Sequence, residues 1–199
     1  MTAYRTSRTF DTLLLVTLGS ALLFGALHRT QLSDELYFLS HHPSSKSVII
    51  ADAAGLSPIG AALLYRTDPQ YVSQVALDAA CDVERLGCLN SHNQIFVLDD
   101  PDKPNQTVVT AAHEMLHLAY QRLSQSEKNG LAPLLDQAIA QNSGQISDEL
   151  RSTTTLEDRR DEAHSLLGTE YKNISPKLES HYGLYFADRQ KVVASAIVQ

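Results

Sequence analysis

The chain has 199 residues, of which 43% are hydrophobic and 20% are charged. This balance is typical of a globular protein with a sizeable core, and it excludes a disordered chain. The formal net charge is −7, from 16 basic and 23 acidic residues, and the sequence contains no basic run. Because proteins that bind nucleic acid carry clustered basic residues, we expect no nucleic-acid partner.

Residues 1–30 are predicted to form a membrane anchor. Residues 13–27 are uncharged and mostly apolar, and Arg5 and Arg8 precede them. A spanning helix needs about 20 apolar residues and a signal-peptide core about 7–15, so length alone allows both. The sequence lacks a clear Ala-x-Ala cleavage site, which favours an uncleaved anchor over a cleaved signal. A buried core helix is disfavoured because the run is apolar on every side and follows arginines.

The positive-inside rule gives this anchor an orientation. Because the two arginines precede the apolar run, the first residues should stay in the cytoplasm. The rest of the chain would then lie outside, as the extracytoplasmic part of a single-pass protein of the cell membrane. Residues 31–46 are interpreted as a helix fragment and a linker beside the membrane.

The two cysteines are consistent with an exported domain. Cys81 and Cys88 are the complete set, and an even number of cysteines outside the cytoplasm suggests a disulfide. The loop between them is short, so such a bond would mainly fix local geometry. Two buried thiols are the alternative. A zinc site at the cysteines is disfavoured because no second Cys/His pair lies nearby at ligand spacing.

The pattern of the remaining residues predicts a mainly α fold with a small β element, of the α+β class. A helix is expected from Asp68-Pro69 to Cys81, because proline favours the first helical position. The best candidate for a strand is Asn93–Asp100, which contains β-branched and aromatic residues and precedes a turn. Four further helices are predicted, at residues 107–123, 132–141, 155–167 and 176–197. For the third of them, Thr154 and Glu157 are the expected capping box.

The helix predicted at residues 107–123 contains the sequence TAAHEMLHLAY. His113 and His117 are four residues apart, so both imidazoles project from one face, as two ligands of one tetrahedral Zn²⁺ require. Glu114 can reach water at an open coordination site and accept its proton as a general base. This is the HExxH pattern.

The surroundings of the motif argue against a chance match. Apart from the motif itself, every residue from Val108 to Ala119 is apolar except Thr110. The helix is therefore expected to be buried, and ionisable side chains in a buried helix need compensation, which a metal ion provides. The alternative is a pair of core histidines with other partners beside an unrelated glutamate.

Residues 110–119 resemble the active-site helix of the zincin metallopeptidases, in which uncharged residues surround the His-Glu-x-x-His positions. The resemblance implies that His113 and His117 bind zinc and that Glu114 acts as the base in peptide hydrolysis. The layout of residues 45–199 also resembles uncharacterised, membrane-anchored bacterial proteins that are thought to be metallopeptidases. Residues 47–199 would then form a zincin-like metallopeptidase domain.

A catalytic zinc ion needs a third protein ligand. The residues after His117 lack the Gly and His of the metzincin subgroup, so a later residue is expected, as in gluzincins. The candidates are Glu162, His164 and Glu170. The Asp161-Glu162 pair is similar to the Asn-Glu pair of thermolysin-like gluzincins, which favours Glu162. An exposed acidic helix face is the alternative interpretation of these carboxylates.

The resemblance does not decide which residues would orient the metal ligands or stabilise the reaction intermediate. Thermolysin-like gluzincins place an aspartate one turn after the ligand glutamate, whereas Leu166 stands there in this chain. Another carboxylate, Asp161 or Glu170, would have to orient a ligand histidine. His164 is then a candidate oxyanion donor. His181, Tyr182 and Tyr185 could also stabilise an intermediate, although tyrosines at this spacing are more typical of a core.

The sequence therefore predicts a membrane-anchored, extracytoplasmic zinc metallopeptidase that hydrolyses a peptide or protein substrate. The Zn²⁺ cofactor would be bound by His113, His117 and Glu162, with Glu114 and His164 as catalytic residues. The first alternative is a catalytically silent zinc-binding scaffold of the cell envelope. The second is a metal-dependent hydrolase of a non-peptide bond, such as a cell-wall amide.

Overall fold

The computed structural model describes residues 41–81, 85–142 and 150–197, together with Tyr37, Gly144 and Ile146. The described residues from Pro43 onward belong to one compact unit. The predicted anchor at residues 13–27 lies outside the described residues. Within the described ranges, no helix has both the length and the apolar character needed to cross a membrane.

The described residues form eight α-helices, one short 3₁₀ helix and one small sheet, which confirms the mainly helical α+β class. The first four helices are α1 Ser45–Ala53, α2 Pro58–Arg66, α3 Gln74–Ala80 and α4 Pro104–Arg122. The last four are α5 Gln125–Gln141, α6 Leu156–Thr169, α7 Pro176–Tyr182 and α8 Arg189–Ile197. The strands are β1 Gln70–Val72, β2 Gly87–Leu89 and β3 Ile95–Leu98, and the 3₁₀ helix is Leu150–Ser152.

The sheet is small, and its strand order is β1-β3-β2. Strand β1 pairs with β3 in parallel, with Gln70 opposite Phe96. Strand β2 pairs with β3 in the antiparallel direction, with Gly87 opposite Val97. The sequence predicted only the central strand, because the outer strands have three residues each and show no alternation. Ile95 and Val97 are buried in the core, and Phe96 and Leu98 are partly exposed.

The predicted helix start at Asp68-Pro69 is wrong. Asp68 has a φ of 43°, which lies in the left-handed region and ends α2 rather than starting a helix. Strand β1 follows at once, and α3 begins only after Ser73. Proline therefore introduces an extended segment here, and its preference for the first helical position does not decide the structure.

Two other helices differ from their predicted bounds. Helix α5 begins at Gln125, earlier than expected, because Ser124 and Glu127 form a reciprocal capping box and Gly130 lies within the helix. The predicted helix 176–197 is two helices. Between them, the Tyr185 carbonyl accepts a hydrogen bond from the Ser57 N–H at 2.9 Å, which draws the chain toward α2 and interrupts the helical pattern.

The capping box of α6 is shifted by one residue from the predicted one. Thr155 caps the helix, and the third helical residue, Asp158, returns the bond. Thr154 donates a side-chain hydrogen bond to the same Asp158 carboxylate at 3.0 Å. The expected pair of Thr154 and Glu157 is therefore replaced by its neighbours, and the helix still begins where the sequence indicates.

Helix α4 is the centre of the core. It packs against α6, α8, α1, α2 and the strands β2 and β3. This explains why the helix is apolar nearly all round, since a helix surrounded by other elements has no solvent face. Its fully or almost fully buried residues include Ala111, Ala112, Met115, Leu116 and Ala119.

Helix α6 is the main partner of α4, and its second half is buried. Ala163, Leu166 and Leu167 contribute to the core. Gly168 allows close packing, because a Cβ at this position would overlap Leu116 of α4 and lie 2.9 Å from the Tyr182 ring. The buried Arg189 guanidinium donates to the carbonyls of Leu167 and Tyr171 at 3.2 Å and 2.9 Å, and thereby holds the end of α6. The close contact fixes the first half of α6 beside the motif of α4.

Candidate metal centre

The three residues predicted as metal ligands lie together. One ligand atom from each of His113, His117 and Glu162 falls within 4.8 Å of the others. The histidines come from α4 and the glutamate from the first half of α6. The close packing of the two helices brings these side chains together although 45 residues separate His117 from Glu162 in the sequence (162 − 117).

The two histidines point their Nε2 atoms at the same position. The Nε2 atoms are 3.1 Å apart, and the ring planes are inclined at 72°. Glu162 completes the triangle, with Oε1 at 3.4 Å from His113 Nε2 and Oε2 at 3.6 Å from His117 Nε2. Ligands that bind Zn²⁺ tetrahedrally at about 2.0–2.2 Å lie roughly 3.3 Å from one another. The residues therefore fit a metal ion of this size and coordination.

Asp161 orients one of these histidines. Its Oδ1 atom lies 2.9 Å from His117 Nδ1. A carboxylate that accepts the Nδ1–H bond leaves the lone pair on Nε2, which is the nitrogen directed toward His113 and Glu162. Two consecutive residues of α6 therefore contribute to the candidate site. Glu162 is the candidate ligand, and Asp161 is the hydrogen-bond partner of His117. The sequence left Asp161 and Glu170 open for this role.

The charges of the triad are coupled. Burial lowers the pKa of His113, but the interaction with Glu162 and the charge of Glu114 outweigh it and raise this pKa to about 9. Burial raises the pKa of Glu162, but its interactions with His113 and His117 lower it by more. The pair therefore favours an imidazolium and a carboxylate, and a divalent cation would take the place of the imidazolium proton.

The triad is partly accessible. The side chains of His113 and His117 retain 14% and 16% exposure, and that of Glu162 retains 22%. A catalytic metal needs one coordination position that solvent and substrate can reach, unlike a closed structural site. The exposure agrees with a site at the surface of the core rather than one sealed inside it.

Glu114 lies beside the triad and faces the sheet. It is 7% exposed, and its Cγ atom would lie 3.4 Å from a Cβ built on Gly87 of β2. The same Cβ would lie 2.5 Å from Thr110 Cγ2 and 2.8 Å from the Phe96 carbonyl oxygen. Glycine is required at this position because the strand backbone passes directly against the motif helix.

The disulfide predicted from the two cysteines is present. Cys81 and Cys88 are bonded, with their Cα atoms 6.1 Å apart. The bond joins the residue after α3 to the middle of β2. It therefore fixes the strand that packs against Glu114, which agrees with the local role expected for so short a loop.

His164 lies in a separate buried group, and its catalytic role stays a prediction. The side chain has no exposed surface, and its Nε2 atom lies 2.9 Å from His181 Nε2. Burial and the neighbouring His181 lower the pKa of His164 well below its usual value, so the ring is neutral. Its Nδ1 atom makes no hydrogen bond of standard geometry to any described residue. The rings of Tyr120, Tyr182 and Tyr185 surround it.

Glu170 ends α6 and does not belong to the triad. The residue is partly buried, and this burial raises the pKa of its carboxyl, whereas His113 acts in the opposite direction. The three candidates for the third ligand thus have different surroundings. Among the described residues, only Glu162 forms a ligand cluster with both histidines.

The sequence interpretation missed one charged neighbour of the site. Arg85 is exposed and immediately precedes Leu86, the residue before β2. Besides the two histidines, its charge lowers the pKa of Glu162, against the opposing effect of burial. The only sequence signal was a single arginine between the two cysteines.

None of the three comparisons, with family models, with curated proteins and with solved structures, gives a match to this chain. The case for a function therefore depends on the geometry of these residues and on the motif.

Proposed function

We propose that this chain is a zinc-dependent metallopeptidase of the gluzincin type. The observation that carries the proposal is the convergence of His113, His117 and Glu162 on one position, at spacings suited to tetrahedral zinc. The HExxH motif supports it because the motif adds a base to the two ligands. This chemistry needs at least three metal ligands and a base. Helix α4 supplies two imidazoles and the base, and α6 supplies the carboxylate ligand.

Zinc bound at this position would supply Lewis-acid chemistry, which makes water a stronger nucleophile near pH 7 and polarises a carbonyl. The residues of the chain supply the rest. Glu114 accepts a proton from the attacking water and returns it to the leaving amine. Asp161 keeps His117 in the tautomer whose Nε2 can donate its lone pair.

The N-terminal segment and the disulfide indicate where the protein would act. We place the domain outside the cytoplasm, attached to the cell membrane through residues 13–27, because of the apolar run and the preceding arginines. The Cys81–Cys88 disulfide supports this location, since disulfides persist mainly in oxidising compartments. The substrates would be peptides or proteins of the cell envelope or beyond it.

The decisive experiment is the substitution Glu114→Gln. The change removes the base but none of the three metal ligands, so zinc binding should be retained while peptide hydrolysis falls by at least about 100-fold. Zinc content is measured by elemental analysis, and cleavage of a mixed peptide library is followed with and without a chelator. Glu157→Gln is the matched control, because Glu157 is exposed and pairs with Lys128.

The possible outcomes separate the candidate functions. Full hydrolysis by the Glu114→Gln protein would remove Glu114 from the mechanism. Stoichiometric zinc without cleavage of any peptide would favour the silent scaffold, and the same assay with cell-wall fragments would detect a non-peptide amidase. Chelator-sensitive cleavage that Glu114→Gln abolishes and Glu157→Gln preserves is the result that we expect.

A further inference from the structure

Arg85 is a positively charged neighbour of the candidate centre that the proposed chemistry does not use. Its side chain is exposed, and it makes no hydrogen bond or ion pair with any described residue. Besides the two histidines, the proposed active site contains carboxylates, among them Glu114, Asp161 and Glu162. Among the described residues, its charge acts on Glu162 only at a distance, so its N–H donors are available to a ligand.

The backbone that carries Arg85 is fixed on its C-terminal side. The Leu86 carbonyl accepts a hydrogen bond from the Leu98 N–H at 2.8 Å. Gly87 then packs against Thr110 and Glu114 of α4, and Cys88 is bonded to Cys81. Arg85 is therefore two residues along the chain from Gly87, the residue that packs beside the proposed base. A fixed backbone also reduces the conformational entropy lost when the side chain binds a ligand.

The chemistry of the guanidinium indicates what it binds. Arginine binds a carboxylate through two parallel N–H···O bonds, which are stronger and more specific than single neutral hydrogen bonds. A substrate carboxylate near the scissile bond would lie close to Glu114 and Asp161, and a cation in addition to the metal ion would offset their repulsion. Arg85 supplies that cation on the β2 side of Glu114.

We propose that Arg85 is a substrate-binding residue that receives a carboxylate close to the scissile bond. The inference rests on the proposed function and adds to it a substrate class, namely peptides that carry such a carboxylate. The group has two sources, the C-terminus of the peptide or an internal Asp or Glu side chain. The first source would make the protein a carboxypeptidase, and the second an endopeptidase with acidic specificity.

The test measures binding apart from hydrolysis. The full-length, zinc-loaded Glu114→Gln protein is equilibrated with one mixed-sequence peptide library in three forms. These are peptides with free C-termini, C-terminal amides without acidic residues, and C-terminal amides with an internal Asp or Glu. Bound peptides are quantified by mass spectrometry, and the zinc content of every variant is measured beside them. We expect one of the two carboxylate-bearing forms to bind at least about tenfold more tightly than the neutral amides.

Substitutions assign this preference to Arg85. Adding Arg85→Ala should reduce the preference to less than about threefold at unchanged zinc content, and Arg85→Lys should restore part of it because the charge remains. Arg151→Ala is the matched control. It removes an exposed arginine of the 3₁₀ helix and should leave the preference unchanged.

The outcomes distinguish this inference from the proposed function. It is overturned if acid and amide peptides bind equally, if no peptide binds, or if the preference survives Arg85→Ala. Wild-type protein that cleaves peptides without regard to carboxylates would retain the proposed function alone. Wild-type protein that cleaves none, while its Glu114→Gln form binds carboxylate peptides through Arg85, would retain only this inference.

Discussion

At the scale of single residues, Asp161 shows how one side chain can prepare another. An imidazole has two nitrogens, and only a lone pair on Nε2 is useful to a metal held between His117, His113 and Glu162. The 2.9 Å contact between Asp161 Oδ1 and His117 Nδ1 selects this tautomer and fixes the ring plane. Such partners of ligand histidines are worth about 10- to 100-fold in metal affinity.

Asp161→Asn is therefore expected to weaken zinc binding by about 10- to 100-fold, because an amide oxygen accepts the Nδ1–H bond less strongly than a carboxylate. Zinc affinity is measured by competition with a chromophoric chelator. Asp102→Asn, on an exposed turn, is the matched control and should bind zinc like wild type. Equal affinities for the two variants would show that Asp161 has no influence on the ligand.

At the scale of secondary-structure elements, the relation between β2 and α4 depends on a single missing side chain. Gly87 has no room for a Cβ, which would meet the Phe96 carbonyl at 2.8 Å and Thr110 Cγ2 at 2.5 Å. Gly130 has open space around its Cβ position and lies within α5. The two glycines therefore make a matched pair, one required by packing and one not.

Gly87→Ala should lower the free energy of unfolding by about 1–3 kcal/mol, since the added methyl group forces the strand away from the motif helix. Gly130→Ala should raise it by about 0.5–1 kcal/mol, because alanine is favoured over glycine inside a helix. Both values are measured by urea unfolding with the disulfide intact. A Gly87→Ala protein as stable as wild type would contradict the close packing of β2 on α4.

The elements also show which parts of the fold were accessible from sequence. Helix α4 was predicted closely because its apolar pattern and its buried environment agree. The divided helix at residues 176–197 was not, because the interruption depends on a hydrogen bond from Ser57 to the Tyr185 carbonyl, across 128 residues (185 − 57). Local pattern predicts helices well where tertiary contacts reinforce it, and it fails where a distant element competes for the backbone.

At the scale of the whole molecule, the same distinction applies to the candidate site. His113, Glu114 and His117 could be identified from spacing alone, because one helix places them. Glu162 could only be ranked above His164 and Glu170, because the choice depends on how α6 is rotated against α4. The buried residues Ala163 and Leu167, together with Gly168, determine that rotation. They direct Glu162 to the motif and His164 to His181.

This arrangement predicts that zinc stabilises the whole domain and that the effect depends on Glu162. An ion that binds the native state alone at 100 times its dissociation constant contributes about 2.7 kcal/mol. For a chain of this length, such a contribution should raise the melting temperature by about 5–10 °C.

Because the ion would join α4 to α6, Glu162→Ala should abolish most of this shift. His164→Ala should melt at a lower temperature, since it leaves a cavity in the core, but it should retain the zinc-dependent increase. Thermal unfolding of the three proteins with and without zinc, beside metal analysis, measures both effects. If His164→Ala lost the increase and Glu162→Ala kept it, the ligand assignment would be reversed, and the metal would have to lie on the other side of α6.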